Sequence, residues 1–153
     1  MATLTVERCI KLLSSSASGL PRQLTRHGPQ QSGFATTQKP LTALAAEIRH
    51  LANPACLDFL PVSEGVEDHA TMAPHCVAKV DAMRERLVHL IAIEAVIAAQ
   101  AVDLRPADVR DTLGSGARRI YEGVRARSTF LDDDRSLAPD FASVASWLDE
   151  NAR

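Results

Sequence analysis

The stretch SEGVEDHATMAPH, residues 63–75, brings Glu67, Asp68, His69 and His75 together in a short span. It lies where an irregular segment meets a long apolar-patterned one. A carboxylate beside an imidazole can exchange protons with a substrate once burial moves their pKa values toward neutrality. The same residues also have a structural use, because carboxylates in the first turn of a helix complement its dipole. His69 then reads as a surface or subunit contact, and the sequence leaves both readings open. Metal binding has little support: His69 and His75 are six positions apart and do not share a helix face. A further carboxylate, Glu94, stands inside the apolar run LVHLIAIEAVIAAQAV, residues 87–102. A buried carboxylate needs a partner or a proton, and the reading here is a structural anchor between packed helices. No serine has the context of a Ser-His-Asp triad. No glycine pattern follows a strand, so phosphate-loop and dinucleotide sites drop out.

The elements that must position these groups are helical. Leu4 to Leu13 is apolar enough for a short helix capped by Thr3 or Thr5 and ended by Gly19-Leu20-Pro21. RHGPQQSGF, residues 26–34, is a loop in which Ser32-Gly33-Phe34 turns and wedges Phe34 into a neighbour. Pro40 opens a helix to about Leu51, with Leu41, Leu44, Ile48 and Leu51 on one side, and Asn53-Pro54 ends it. Residues 53–66 form an extended connection. The pattern then predicts one long helix from about Glu67 to Val102, kinked or delayed by Pro74. Another runs from Pro106 to Arg127, interrupted at Gly114-Ser115-Gly116. After the loop TFLDDDRSLAPD, a terminal helix places Phe141, Val144, Trp147 and Leu148 on its apolar side. Residues 1–153 read as a single helical domain of all-α class, a long-helix bundle.

Composition agrees. The 153 residues are 46% hydrophobic but only 4% aromatic, which favours closely packed helices over a β-sandwich. A net charge of −2 with mixed signs gives no basic footprint for nucleic acid. Cys9, Cys56 and Cys76 are far apart and odd in number, as in a chain from a reducing compartment. The start, MATLTVERCIKLL, carries Glu7 ahead of its apolar run and does not suit an export signal. The 87–102 run is too short and too interrupted for a membrane span. The expectation is a cytoplasmic protein without membrane or nucleic-acid partners. A helix from Glu67 to Val102 would span on the order of 50 Å, more than the diameter of a compact chain of this length. Alanines at 92, 95, 98, 99 and 101 and aliphatic residues around them make it apolar on all sides. Short helices are not expected to wrap it, so burial against other chains is predicted.

Several segments, in order, resemble the carboxy-terminal half of the aromatic amino acid ammonia-lyases, and histidine ammonia-lyases most. They are Glu7-Arg8, SGLP (18–21), SGF (32–34), LTALAAEIRHLANPA (41–55), LPVSEGVEDHATMAPH (60–75), LIAIEAVIAAQAVDLR (90–105) and FLDDDRSLAPD (130–140). The resemblance implies a helical tetramer-forming chain that eliminates ammonia to leave an α,β-unsaturated acid. The family's electrophile is a methylidene-imidazolone ring made from an Ala-Ser-Gly tripeptide. Ala17-Ser18-Gly19 has those letters, but in this match it falls on a non-catalytic loop, and ring formation needs an enclosed, compressed backbone. The implied arrangement has no cofactor in this chain and the ring on a partner chain. Glu67 matches the family's active-site glutamate, and Val66, His69 and Phe34 are the implied substrate-binding or supporting residues. Val66 stands where the family has a glutamine and can neither donate nor accept a hydrogen bond. Gly65 replaces an asparagine, Glu64 a small residue, Gln31 an asparagine and Ala35 a methionine.

Three readings follow. In the first, the chain is the small subunit or carboxy-terminal-half homologue of a split histidine or aromatic amino acid ammonia-lyase, inactive alone. It then joins a homo- or hetero-oligomer with a chain carrying the amino-terminal half. In the second it is a catalytically inactive homo-oligomeric relic or scaffold. In the third it is a regulatory partner of a full-length lyase. The first two differ in whether Glu67 faces a closed polar pocket or solvent.

Overall fold

The computed structural model describes residues 1–55, 57, 60–67 and 71–151. Its helices are α1 (Ala2–Leu13), α2 (Ser15–Ser18), α3 (Gln38–Leu51), α4 (Ala73–Asp103), α5 (Ala107–Asp111), α6 (Ser115–Arg125) and α7 (Ala138–Asn151). Single 3-10 turns occur at Arg22–Leu24, Gly28–Gln30, Ala35–Thr37 and Ser63–Gly65. Among the described residues, extended pairing is confined to one isolated antiparallel bridge between Val62 and Glu67. The all-α expectation holds.

Two helix starts differ from the sequence reading. α1 begins at Ala2 rather than behind a threonine cap, and Thr5 lies inside it, buried. α4 begins at Ala73, later than Glu67, with Pro74 in its first turn, where a missing N–H costs nothing. Thr71 Oγ accepts the Ala73 N–H at 3.2 Å and marks the start. Glu67 is therefore not in the helix, and the dipole-capping role expected of it does not apply. The same expectation for Asp68 falls outside the described residues.

α4, at 31 residues, is about 46 Å long and forms the axis of the fold. Leu90, Ala92, Ile93, Val96, Ile97, Ala99, Gln100 and Ala101 are buried in its second half. Helices α1, α3, α6 and α7 pack against it, bringing Cys9, Leu13, Leu41, Val124 and Val144 into one core cluster. This corrects the expectation that the short helices cannot wrap the apolar run. Its alanines let four helices approach closely, so most of Leu90–Ala101 is covered within the chain, while Ile91, Ala95 and Ala98 stay part-exposed. Larger uncovered apolar side chains lie mostly earlier in the sequence, with Ile120 of α6 also exposed. Val77 and Val80 on the first half of α4 are exposed, as are Leu57, Leu60, Val62 and Val66 ahead of it.

The helix pairs close with specific fits. Gly123 of α6 leaves room for the Trp147 ring of α7, to which a Cβ at position 123 would come within 2.3 Å. Arg127 lies 5.0 Å over the same ring, a favourable cation–π distance. Gln100 is the polar centre of the core. Its Nε2 donates to the carbonyls of Leu24 at 3.2 Å and Leu131 at 2.9 Å. Its Oε1 accepts the Leu131 N–H at 3.0 Å. One side chain on α4 thus fastens two loops that are far apart in sequence.

Candidate functional site

Glu67 ends a tight loop. Val62 N–H donates to Glu67 O at 2.9 Å, and Glu67 N–H returns a bond to Val62 O at 3.3 Å. Between them Ser63, Glu64 and Gly65 all have left-handed φ, of 54°, 59° and 86°. Glycine adopts this region freely, but Ser63 and Glu64 pay a steric cost there of about 1 kcal/mol or more each. The loop thereby turns the chain sharply before α4 and holds Glu67 at the surface.

Glu67 is exposed in the isolated chain, and Val66 beside it is 84% exposed. His69 lies outside the described residues. Phe34 is elsewhere: its ring is fully buried in the core cluster with Leu24 and Leu41. It wedges into its own chain, not into a neighbour, and within this chain its ring supports the fold and presents no surface to a ligand. The chain therefore does not gather Glu67, Val66 and Phe34 around one enclosed pocket. It presents Glu67 and Val66 on an open, partly apolar face.

Ala17-Ser18-Gly19 sits on the end of α2, with Ala17 exposed. Gly19 is the left-handed residue that ends the helix, at φ 69°, and its N–H donates to Ser15 O at 3.0 Å. Ser18 Oγ donates to Ser14 O at 2.8 Å and accepts the Leu20 N–H at 3.1 Å. Ring closure needs the glycine nitrogen to reach the alanine carbonyl carbon in a compressed backbone. Here that nitrogen is engaged one turn back, and a Cβ on Gly19 would meet nothing within 4 Å. The tripeptide caps a helix.

Glu94 has the partner its burial demands. Arg8 approaches it in a fork, Nε to Oε1 at 2.5 Å and a terminal nitrogen to Oε2 at 2.9 Å. This ties α1 to α4 and raises the Arg8 pKa above its ordinary value, first through the hydrogen bond and then through the charge of Glu94. Cys9, on the next residue of α1, is buried, and loss of solvent together with Glu94 pushes its thiol up to about 12. Both residues act in the structure of the bundle.

Sequence reasoning gave Gln100 no role beyond interrupting an apolar run, although an amide in such a run is a signal that backbone groups nearby need partners. It also left the TFLDDDRSLAPD loop without a task. That loop packs on residues 26–34. Asp134 accepts the N–H groups of Ser32 at 2.7 Å and Gly33 at 2.8 Å, and these bonds hold its carboxyl below the usual carboxylate range. Arg135 turns the other way, with a fork onto Asp140 at 2.7 and 2.8 Å. That pairing lowers the Asp140 pKa. The described residues contain no group of three or more His, Cys, Asp or Glu side chains placed to hold a metal ion.

This all-helical frame has close relatives. The chain belongs to the aromatic amino acid lyases, whose sequence profile matches residues 1–126. It is 35% identical to the histidine ammonia-lyase of Burkholderia vietnamiensis over 153 residues, covering 99% of this chain and 29% of that protein. Its fold is similar to that of ergothionase, an ergothioneine-degrading enzyme from Treponema denticola, with a TM-score of 0.91 at 32% identity over 99% of this chain and 30% of that one. The tyrosine aminomutase of Streptomyces globisporus gives a TM-score of 0.91 at 31% identity over 99% of this chain and 28% of that one. The 153 residues thus span under a third of the length of these relatives. Among the described residues, no helix is long and apolar enough to cross a membrane.

Proposed function

We propose that this chain acts as one helical unit of a cytoplasmic aromatic amino acid ammonia-lyase. It delivers Glu67 to a site whose ring electrophile and tyrosines come from polypeptide outside these 153 residues. In the split-subunit form of this reading, a separate chain supplies them within an oligomer. The observation that carries it is the uncovered apolar surface of Leu60, Val62 and Val66 around the strained Val62–Glu67 loop that bears the carboxylate. Apolar side chains in contact with water favour a covering surface, and a carboxylate so placed becomes enclosed when that surface arrives. Enclosure strengthens its interactions with a substrate's ammonium or imidazole group. Similarity to histidine ammonia-lyases favours histidine as the substrate.

A second reading, an inactive helical scaffold, is favoured by Val66, which lacks the hydrogen bonds a glutamine would offer, and by the exposure of Glu67. Co-expression of the full chain with the ring-bearing amino-terminal portion of a histidine ammonia-lyase decides between them. The enzyme reading expects co-purification and release of unsaturated acid, detected by its ultraviolet absorbance. In that complex Glu67→Gln should lower turnover by about 100-fold or more if Glu67 moves a proton. A monodisperse homo-oligomer that ignores the ring-bearing segment and turns over nothing would establish the scaffold reading.

A further inference from the structure

We propose that the acidic run Asp132-Asp133-Asp134 is a charge-operated latch that fastens the 26–34 loop to the helical core, and that removing the Asp134 charge opens it locally. Each carboxylate takes its own partner across the gap. Asp132 Oδ1 lies 3.2 Å from His27 Nε2, Asp133 Oδ1 accepts Gln31 Nε2 at 2.7 Å, and Asp134 accepts two backbone N–H groups. The remaining cations nearby are committed elsewhere. Arg26 stacks 4.3 Å over Phe130, and Arg135 holds Asp140 and reaches Thr129. Asp134 therefore rests on the backbone N–H groups of Ser32 and Gly33 rather than on a positive side chain.

The ends of both segments are anchored independently of the run. Gln100 grips Leu131 and Leu24, Arg135 grips Asp140, and Phe34 is buried, with its N–H donating to Gln23 O at 3.0 Å. Gly33 is seated so closely that a Cβ would lie 2.5 Å from Gln23 O. When the acidic run lets go, the movement is thus confined to the span between these anchors, while the helices stay packed. The sign follows from the lowered folded-state pKa of Asp134. The Asp134 part of the latch is complete above the unfolded carboxylate value of about 3.9 and is lost as pH falls through the lower folded value. The inference rests on this geometry alone and does not depend on catalysis.

Amide hydrogen exchange on the full chain tests it. Asp134→Asn should lower protection at Ser32 and Gly33 by about ten-fold or more, the scale of a charged hydrogen bond. Amides of Leu90–Ala101 should keep theirs. In the unaltered chain, acid should produce the same loss at Ser32 and Gly33 before α4 loosens. Unchanged protection at both amides in the variant would overturn the latch, as would loss in step with α4 in the acid titration. The acid titration decides the matter even for a poorly folding variant.

Discussion

Gln100→Leu tests the polar centre of the core. The substitution keeps the volume roughly constant and strands three backbone groups, Leu24 O, Leu131 O and Leu131 N–H. Leu24 is fully buried and Leu131 nearly so, so water cannot step in. Each stranded group costs about 1–3 kcal/mol, and burial of the leucine side chain returns about 2 kcal/mol. The net expectation is a loss of about 3 kcal/mol, a large share of the roughly 5–15 kcal/mol by which domains are stable. For a chain of this size that is a fall in Tm of roughly 6–12 °C. Urea unfolding at fixed protein concentration, followed by the fluorescence of the single tryptophan, Trp147, reads it directly. Gln100→Glu separates donor loss from shape: a carboxylate still accepts the Leu131 N–H but cannot donate to either carbonyl until it is protonated. A Gln100→Leu chain within about 1 kcal/mol of the parent would show that the loops hold without this residue.

Two further substitutions or probes check the packing and the thiols. Gly123→Ala adds helix propensity worth about 1 kcal/mol, yet its Cβ would collide with the Trp147 ring. It should therefore lower urea stability by about 1–3 kcal/mol and shift the Trp147 emission, and a stabilised chain would refute the close α6–α7 contact. Cys76 is exposed and Cys9 is buried with its thiol pushed up to about 12. At neutral pH an alkylating reagent should label Cys76 in the native protein and Cys9 only after denaturation, as peptide mass analysis would show.

Much of the fold was legible because helix period and punctuation agreed. Pro40, Pro74, Pro106 and Pro139 each fall within the first residues of a helix or just before one, and the apolar faces of α3 and α7 pack as their spacing predicts. The start of α4 was misread because Glu67–Met72 carries no breaker of its own. The left-handed backbone at Ser63 and Glu64 is a tertiary choice that the composition of the loop does not announce. The coverage of Leu90–Ala101 was misjudged for a related reason: periodicity shows that a helix is apolar all round but not how many of its own chain's helices will surround it. The site residues were less legible. The family resemblance pointed to Glu67 and Phe34 alike, and only the three-dimensional structure separates a carboxylate held at the surface from a ring sunk in the core. The Asp134 contacts bridge positions about a hundred apart, a distance at which no local pattern operates.

The division of α4 into a covered and a bare half bears on how the protein comes into being. Most of Leu90–Ala101 finds its cover from helices of the same polypeptide, so that part can consolidate on its own, at a rate independent of concentration. Val77, Val80, Leu57, Leu60, Val62 and Val66 have no such internal cover. Any surface that covers them from another molecule must arrive in a bimolecular step, slowing as the chain is diluted. A chain left without that cover exposes apolar surface of the kind that favours aggregation. Yield of this chain on expression should therefore depend less on its own stability than on how soon a partner surface is made beside it.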